Sequence, residues 1–224
     1  MKNNFLKIKK GSILIILGII LILISLYNIN KWKIIQNDLL SKEVIDEKKD
    51  KKVIKRELRN NISIKKVEEK IDVEFKLSRK DYKDGLMKIY IPKIDVKAAI
   101  ISGTSVNDLK KGPGLYEKSP LPWKEKGNVC IAGHRTTYGA WFRNVDKLKK
   151  GDKIILKINN TNFSYEVEKV FIVEKNDWSV TESIGYNAIT LTACHPLNTS
   201  KQRIIVRGKQ KDISMENKKY IKIY

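Results

Sequence analysis

The sequence predicts an all-β domain, a closed or nearly closed barrel with a few short helices, carried behind an N-terminal transmembrane helix and a charged stalk. Three features of the 224-residue chain point there. An uncharged aliphatic run occupies residues 11–29. A stretch dense in charge and free of glycine and proline follows it. From Gly85 onward all five prolines and ten of the twelve glycines punctuate short apolar segments. Many short elements joined by defined turns read as β-structure, and closure into a barrel hides the strand edges of such a domain.

Taken in order, residues 1–10 form a basic tail with Lys2, Lys7, Lys9 and Lys10. From Ile13 to Ile24 every residue is Ile or Leu except Gly18. A helix over 11–29 reaches ~28 Å, about the hydrocarbon thickness of a bilayer. Only Lys31 and Lys33 follow closely, so the positive-inside bias places the N-terminus in the cytoplasm and the rest of the chain outside. A cleaved signal needs small residues at its exit, and Ser25-Leu26-Tyr27-Asn28-Ile29-Asn30 offers no such pair, so the segment reads as an uncleaved, single-pass signal anchor.

Residues 30–84 read as the stalk. Between 42 and 70 stand 11 basic and 7 acidic side chains, and the apolar residues among them recur too irregularly for sustained heptads. The expectation is a spacer, helical in part, that holds the next domain clear of the membrane. The formal net charge of +21 divides into +9 up to residue 84 and +12 beyond it. The lysines of the stalk suit anionic lipid or an anionic wall polymer, and a simply solvated stalk is the equal alternative. Nucleic acid is not expected as a partner, because the domain is extracytoplasmic and its basic residues lack interleaved aromatics. Two cysteines and two histidines exclude a disulfide-dense scaffold and a zinc-finger array.

The barrel is expected over residues 85–210, with a basic tail at 211–224. Candidate strands are Leu86–Ile91, Val96–Ile101, Asn128–Ala132, Lys153–Ile158, Phe163–Val173, Ala188–Ala193 and Arg203–Arg207, and Asn159-Asn160-Thr161-Asn162 reads as a hairpin turn. Ser105 suits the cap of a short helix over Val106–Lys110, and a second helix is expected over Ala140–Lys149, ending near Gly151.

Alternation puts Thr190, Thr192 and Cys194 on one face of their strand, and Pro196 ends it. Cys130, Ala132 and His134 share a face of another strand. A histidine and a cysteine at two strand ends are what a Cys–His nucleophile needs, since a neighbouring imidazolium favours the thiolate. Arg203 and Arg207 lie on one face of the last strand, and a guanidinium there can hydrogen-bond a carbonyl or an oxyanion. Other readings remain open on spacing alone. Cys194 could be a buried hydrophobe, and Cys130 reads first as a buried thiol, though it could pair with Cys194 as a disulfide, or Cys130, His134, Cys194 and His195 could hold zinc. Arg207 rivals Arg203, and His195 reads as a loop residue beside the site.

The residues taken together resemble a sortase, the membrane-anchored cysteine transpeptidases of Gram-positive bacteria, from about Leu86 to Gly208. The resemblance is carried by Ile91-Pro92-Lys93-Ile94, Lys111-Gly112-Pro113-Gly114-Leu115-Tyr116, Gly127-Asn128-Val129, Ala132-Gly133-His134-Arg135, Leu148-Lys149-Lys150-Gly151-Asp152 and Thr190-Leu191-Thr192-Ala193-Cys194 with Arg203. The run His134 to Ala140 and the pair His195-Pro196 look most like class E, with class D second. Two positions depart from the pattern. Ala193 stands where the family has Thr, which leaves the peptide preference open, and Trp141 stands where class E has proline.

The resemblance implies a closed sortase-like barrel whose catalytic set is His134, Cys194 and Arg203, with Tyr138 and Thr192 as substrate-binding residues. It implies attack by Cys194 on the Thr carbonyl of an LPxTG or LAxTG sorting signal, with His134 protonating the departing amine and Arg203 steadying the peptide. Surface proteins bearing that signal are the expected partners, with lipid II of the cell wall or a pilin lysine as the accepting amine. No cofactor and no metal are expected; no calcium site is evident, because Asp146, Asp152, Glu166 and Glu168 are scattered among lysines. The alternative function is a non-enzymatic, membrane-tethered binding or assembly module on the same barrel.

Overall fold

In the computed structural model, residues 10–58 and 77–215 are described. Residues 1–9 of the expected cytoplasmic tail, 59–76 of the expected stalk and 216–224 of the expected C-terminal tail lie outside the described residues.

A single helix, α1 (Lys10–Leu58), runs 49 residues without a break from the aliphatic segment into the charged one. No glycine or proline follows Gly18 within it to interrupt the turns. Among the described residues it is the one helix long and apolar enough to cross a membrane, and its aliphatic side chains are exposed.

The rest of the described chain is built on a nine-stranded sheet: β1 (Met87–Ile91), β2 (Val96–Ala99), β3 (Ile101–Ser102), β4 (Gly114–Leu115), β5 (Asn128–Ala132), β6 (Lys153–Ile158), β7 (Thr161–Glu174), β8 (Ala188–His195) and β9 (Gln202–Met215). The order across the sheet is β2-β1-β6-β7-β9-β8-β5-β4-β3. Its two ends, β2 and β3, are one extended stretch interrupted at Ile100. β2 pairs with β1 and β3 pairs with β4, so that stretch joins both edges and the sheet closes. The backbone continues the joint, with Ile100 N donating to Met87 O at 2.8 Å and Ile101 N to Pro113 O at 2.8 Å. The β5–β8 and β3–β4 pairs are parallel and the others antiparallel.

Strands β7 and β9 span 14 residues each, and register shifts at Ser164/Tyr165 and Val167/Lys169 let them bend around the barrel. Burial alternates along Thr161–Val167, putting Phe163 and Tyr165 into a core shared with Met87, Ile89, Leu156 and Ile131. β5 is buried at every position because the loop between β7 and β8 covers its outer face.

Several expectations are corrected. Ser105 caps α2 (Val106–Lys111) through a capping box with Asp108, one residue longer than expected. Ala140–Lys149 is not a helix: Tyr138, Gly139 and Ala140 sit at φ 49°, 88° and 45°, in the left-handed region, and only Val145–Lys147 makes a 3-10 turn. The hairpin loop is Asn159-Asn160 alone, with Asn159 at φ 47°, so β7 begins at Thr161. β9 continues to Met215 along β7, absorbing residues 211–215 of the expected tail. The domain also begins before Gly85. Arg79 donates to the carbonyls of Leu115 and Tyr116 at β4 and to Ser102 Oγ of β3, and Tyr82 OH donates to Ile100 O at 2.9 Å, so both also touch the closing stretch. Residues 32–40 of the expected spacer are docked on the barrel, through Gln36 above all.

Candidate active site

The end of the barrel where β5 and β8 finish and β9 begins collects the reactive side chains. Cys194 lies opposite Arg203 in the β8–β9 register. On the other side of β8, Ala132 lies opposite Thr192, and Gly133 N donates to Thr192 O at 3.0 Å. Two residues beyond that pair the chains carry His134 and Cys194. Neighbouring strands are ~5 Å apart, so His134, Cys194 and Arg203 follow one another across three adjacent chain segments.

Cys130 lies opposite Thr190, four residues back along β8. That is ~13 Å at the rise of a strand, about twice what a disulfide spans. The geometry therefore contradicts both the Cys130–Cys194 disulfide and a four-ligand zinc site that includes Cys130. Among the described residues, no three His, Cys, Asp or Glu side chains gather as a metal site. Cys130 is buried, its thiol donating to Asn128 O at 3.2 Å, and burial pushes its pKa up to about 12. It is protonated and shielded at neutral pH. Cys194 is half-buried and free.

His134 is half-buried, and its Nε2 is enclosed without a hydrogen-bond partner. Burial holds its pKa below the ordinary histidine value, because the imidazolium loses hydration there. The loop that presents it is tightly folded. Phe142 N donates to His134 O at 3.0 Å, and a Cβ on Gly133 would stand 2.5 Å from Phe142 Cδ2, so only glycine admits that ring. The left-handed run at 138–140 turns Tyr138 back over the imidazole, with ring centroids 5.4 Å apart. Tyr138 is 40% exposed.

Arg135 was not assigned from sequence. It is 3% exposed and pairs with Asp146 at 2.9 Å. Its guanidinium also donates to Arg143 O, and reaches Cys194 O and His195 Nδ1 at 3.5 Å. One buried cation thus ties the histidine loop to the strand end carrying Cys194. No spacing rule marks such a residue, since its partners come from two segments that only the fold brings together. His195 is half-buried and faces this arginine.

A cleft lies beside Arg203, lined by Tyr116, Asp177, Trp178, Thr192 and Arg203. Arg203 Nη1 donates to Ser200 O at 3.1 Å and Gln202 O at 3.0 Å, which orients the guanidinium. Thr192 is buried, and its hydroxyl is joined to Tyr116 OH at 2.7 Å, so it positions a wall tyrosine. Trp178, 62% exposed, stands edge-on to Tyr116 with centroids 6.3 Å apart. The wall that carries Trp178 is held from beneath. Asn128 Nδ2 donates to Val180 O at 3.0 Å and Glu182 O at 2.9 Å, and Arg207 Nη2 donates to Val180 O at 2.8 Å. Thr190 Oγ1 donates to Asn128 Oδ1 at 2.6 Å and orients the amide. Arg207, the rival of Arg203, is buried in this support, opposite Thr190.

Comparison with known proteins bears on the family and the fold. The sortase domain family matches residues 89–211. Sortase D of Bacillus subtilis is 37% identical over 124 residues, covering 54% of this chain and 61% of that protein. Sortase SrtE1 of Streptomyces coelicolor is 35% identical over 140 residues, covering 56% of this chain and 40% of that protein. The chain therefore spans less than two thirds of the length of these relatives. The crystal structure of sortase E1 from Streptomyces coelicolor with a tripeptide in the active site superposes with a TM-score of 0.56 at 31% identity, covering 58% of this chain and 90% of that one. Relatives of both the D and the E type are thus among its matches. With the family matched from β1 into β9, over the strands that bring Cys194 beside Arg203, the chain belongs to the sortase family.

Proposed function

We propose that this protein is a membrane-anchored cysteine transpeptidase that cuts a C-terminal sorting signal after its threonine and passes the protein to an amine. The observation that carries this is the placing of Cys194 opposite Arg203, with His134 on the adjoining strand end. Residues 11–29 anchor it with the N-terminus in the cytoplasm and the barrel outside.

In the first half-reaction the Cys194 thiolate adds to the threonine carbonyl. As the C–N bond breaks, the His134 imidazolium gives its proton to the departing amine, leaving a thioester on Sγ. In the second, an incoming amine loses a proton to His134 as it attacks, and the C–S bond breaks to release Cys194. Arg203 donates hydrogen bonds to the bound peptide and to the oxyanion in both steps. The unpartnered Nε2 of His134 supports its role, since a nitrogen already bonded to protein is a poorer proton carrier. The cleft beside Arg203 offers Trp178 and Tyr116 as an aromatic wall for a short peptide. The amine is that of lipid II or a pilin lysine; relatives matched in structure include a pilus-related sortase C of Group B Streptococcus at 29% identity and a TM-score of 0.54.

The test is the full chain in detergent with LPxTG, LAxTG and LPxTA peptides and a small amine, read by mass spectrometry. Cleavage between threonine and the next residue, with amine attached and activity lost in Cys194→Ala, is expected. Cleavage elsewhere, or turnover surviving in Cys194→Ala, refutes the mechanism.

A further inference from the structure

In the reaction just proposed, α1 serves only as a tether, yet the barrel carries a socket for it. Gln36 is 1% exposed in a helix whose neighbouring residues are mostly open to solvent. Its amide bonds the edge of β2 as another strand would: Nε2 donates to Ala99 O at 3.1 Å, and Oε1 accepts from Ala99 N at 2.8 Å. Nε2 also donates to Lys111 O at 2.9 Å, at the end of α2. Two glycines make room. A Cβ on Gly112 would stand 2.1 Å from Gln36 Nε2, and one on Gly85 would stand 3.0 Å from Leu39 Cδ2.

One helical turn before Gln36, and therefore on the same face of α1, stands Trp32. Its ring meets Tyr138 edge-on, with centroids 6.2 Å apart, and Tyr138 in turn covers His134 at 5.4 Å. Lys110, from α2, places its ammonium 5.5 Å from the centroid of the same tyrosine ring. The line of contact thus runs from the socket to the imidazole through two rings. Trp32 also follows Ile29 by three residues, or ~4.5 Å along a helix, which puts it at the polar boundary of the apolar segment where tryptophan is favoured.

We infer that α1 is a positioning element of the active site: Gln36 locks the helix into the Ala99–Gly112 socket, and Trp32 backs Tyr138 so that the histidine loop is held in its working shape. The inference rests on the transpeptidase reading for its kinetic consequence, and on the docking geometry alone for its structural one. Trp32 and Gln36 act through Tyr138 and do not touch substrate.

The test uses the full chain in lipid nanodiscs. Trp32→Ala, Trp32→Phe, Gln36→Ala and the control Ile34→Ala are assayed for kcat and KM with a sorting peptide. Ile34 is 66% exposed on the helix. Amide hydrogen exchange is followed over residues 134–142 in parallel. Trp32→Ala and Gln36→Ala are expected to lower kcat by about 2- to 12-fold, the range of one aromatic pair, with KM within twofold of wild type. Exchange over 134–142 should quicken in both, Trp32→Phe should recover most of kcat, and Ile34→Ala should match wild type. If wild type shows no peptide cleavage but the exchange responds as expected, the docking role stands and the transpeptidase reading falls. Unchanged exchange in Gln36→Ala, or a change confined to KM, overturns the inference.

Discussion

Replacing Asn128 by alanine tests how the wall of the cleft beside Arg203 is held. Asn128 is buried in β5, donates from Nδ2 to Val180 O and Glu182 O, and accepts from Thr190 Oγ1. The substitution leaves two carbonyls and a hydroxyl short of a partner, although Arg207 still serves Val180 O. Each buried group left unpaired costs ~1–3 kcal/mol, and water reaching the loosened loop recovers part of that, so a net loss of ~2–4 kcal/mol is expected. Thermal unfolding of the full chain in detergent should then fall by roughly 5–15 °C. The KM for a sorting peptide should rise more than kcat falls, because Trp178 and Val180 belong to the cleft and not to the bond-making group. A melt within about 2 °C of wild type, well under that loss, would refute the view that these side chains support the wall.

Other consequences follow from the same geometry. Because burial disfavours the imidazolium, His134 in wild type should titrate by NMR below the ordinary histidine value of 6.5, and Tyr138→Ala, which opens the ring to water, should move the midpoint upward. A midpoint at or above 6.5 in wild type, or no movement on substitution, contradicts that cause. Gly133→Ala should cost ~1–3 kcal/mol in denaturant unfolding and reduce turnover, since the added methyl drives Phe142 away from the backbone that presents His134. An alanine variant as stable and active as wild type would show that the loop has room to spare. Iodoacetamide at neutral pH should modify Cys194 alone in the folded chain, with Cys130 reacting only after denaturation. Equal rates at both thiols would count against the assigned burial.

The barrel was legible because its strands obey local rules: apolar segments of strand length, glycine and proline between them, and a cap at Ser105. Asn128–Ala132 and Lys153–Ile158 begin and end where the sequence predicts. His134, Cys194 and Arg203 were legible as strand-end residues. The helix expected over Ala140–Lys149 failed because three successive left-handed residues at 138–140 satisfy a tertiary demand, the folding of Tyr138 over His134, which no helical periodicity expresses. Asn128 and Arg207 were missed as supports because they donate to backbone carbonyls distant in sequence, which any residue type provides, and Arg135 because its partners, Asp146 and the Cys194–His195 pair, meet it only in the fold. The docking of α1 was missed for a similar reason. A lone glutamine in a charged helix looks solvated, and only the fold reveals that Ala99 and Gly112 stand ready to receive it.

The most direct test of the central claim is to trap the acyl enzyme. The full chain is mixed with a sorting peptide without added amine, quenched in acid, digested, and the thioester located by tandem mass spectrometry. A peptide adduct ending in threonine is expected on Cys194, discharged when an amine is added before the quench and absent from Cys194→Ala. An adduct on Cys130, or cleavage of the peptide by Cys194→Ala, would contradict it.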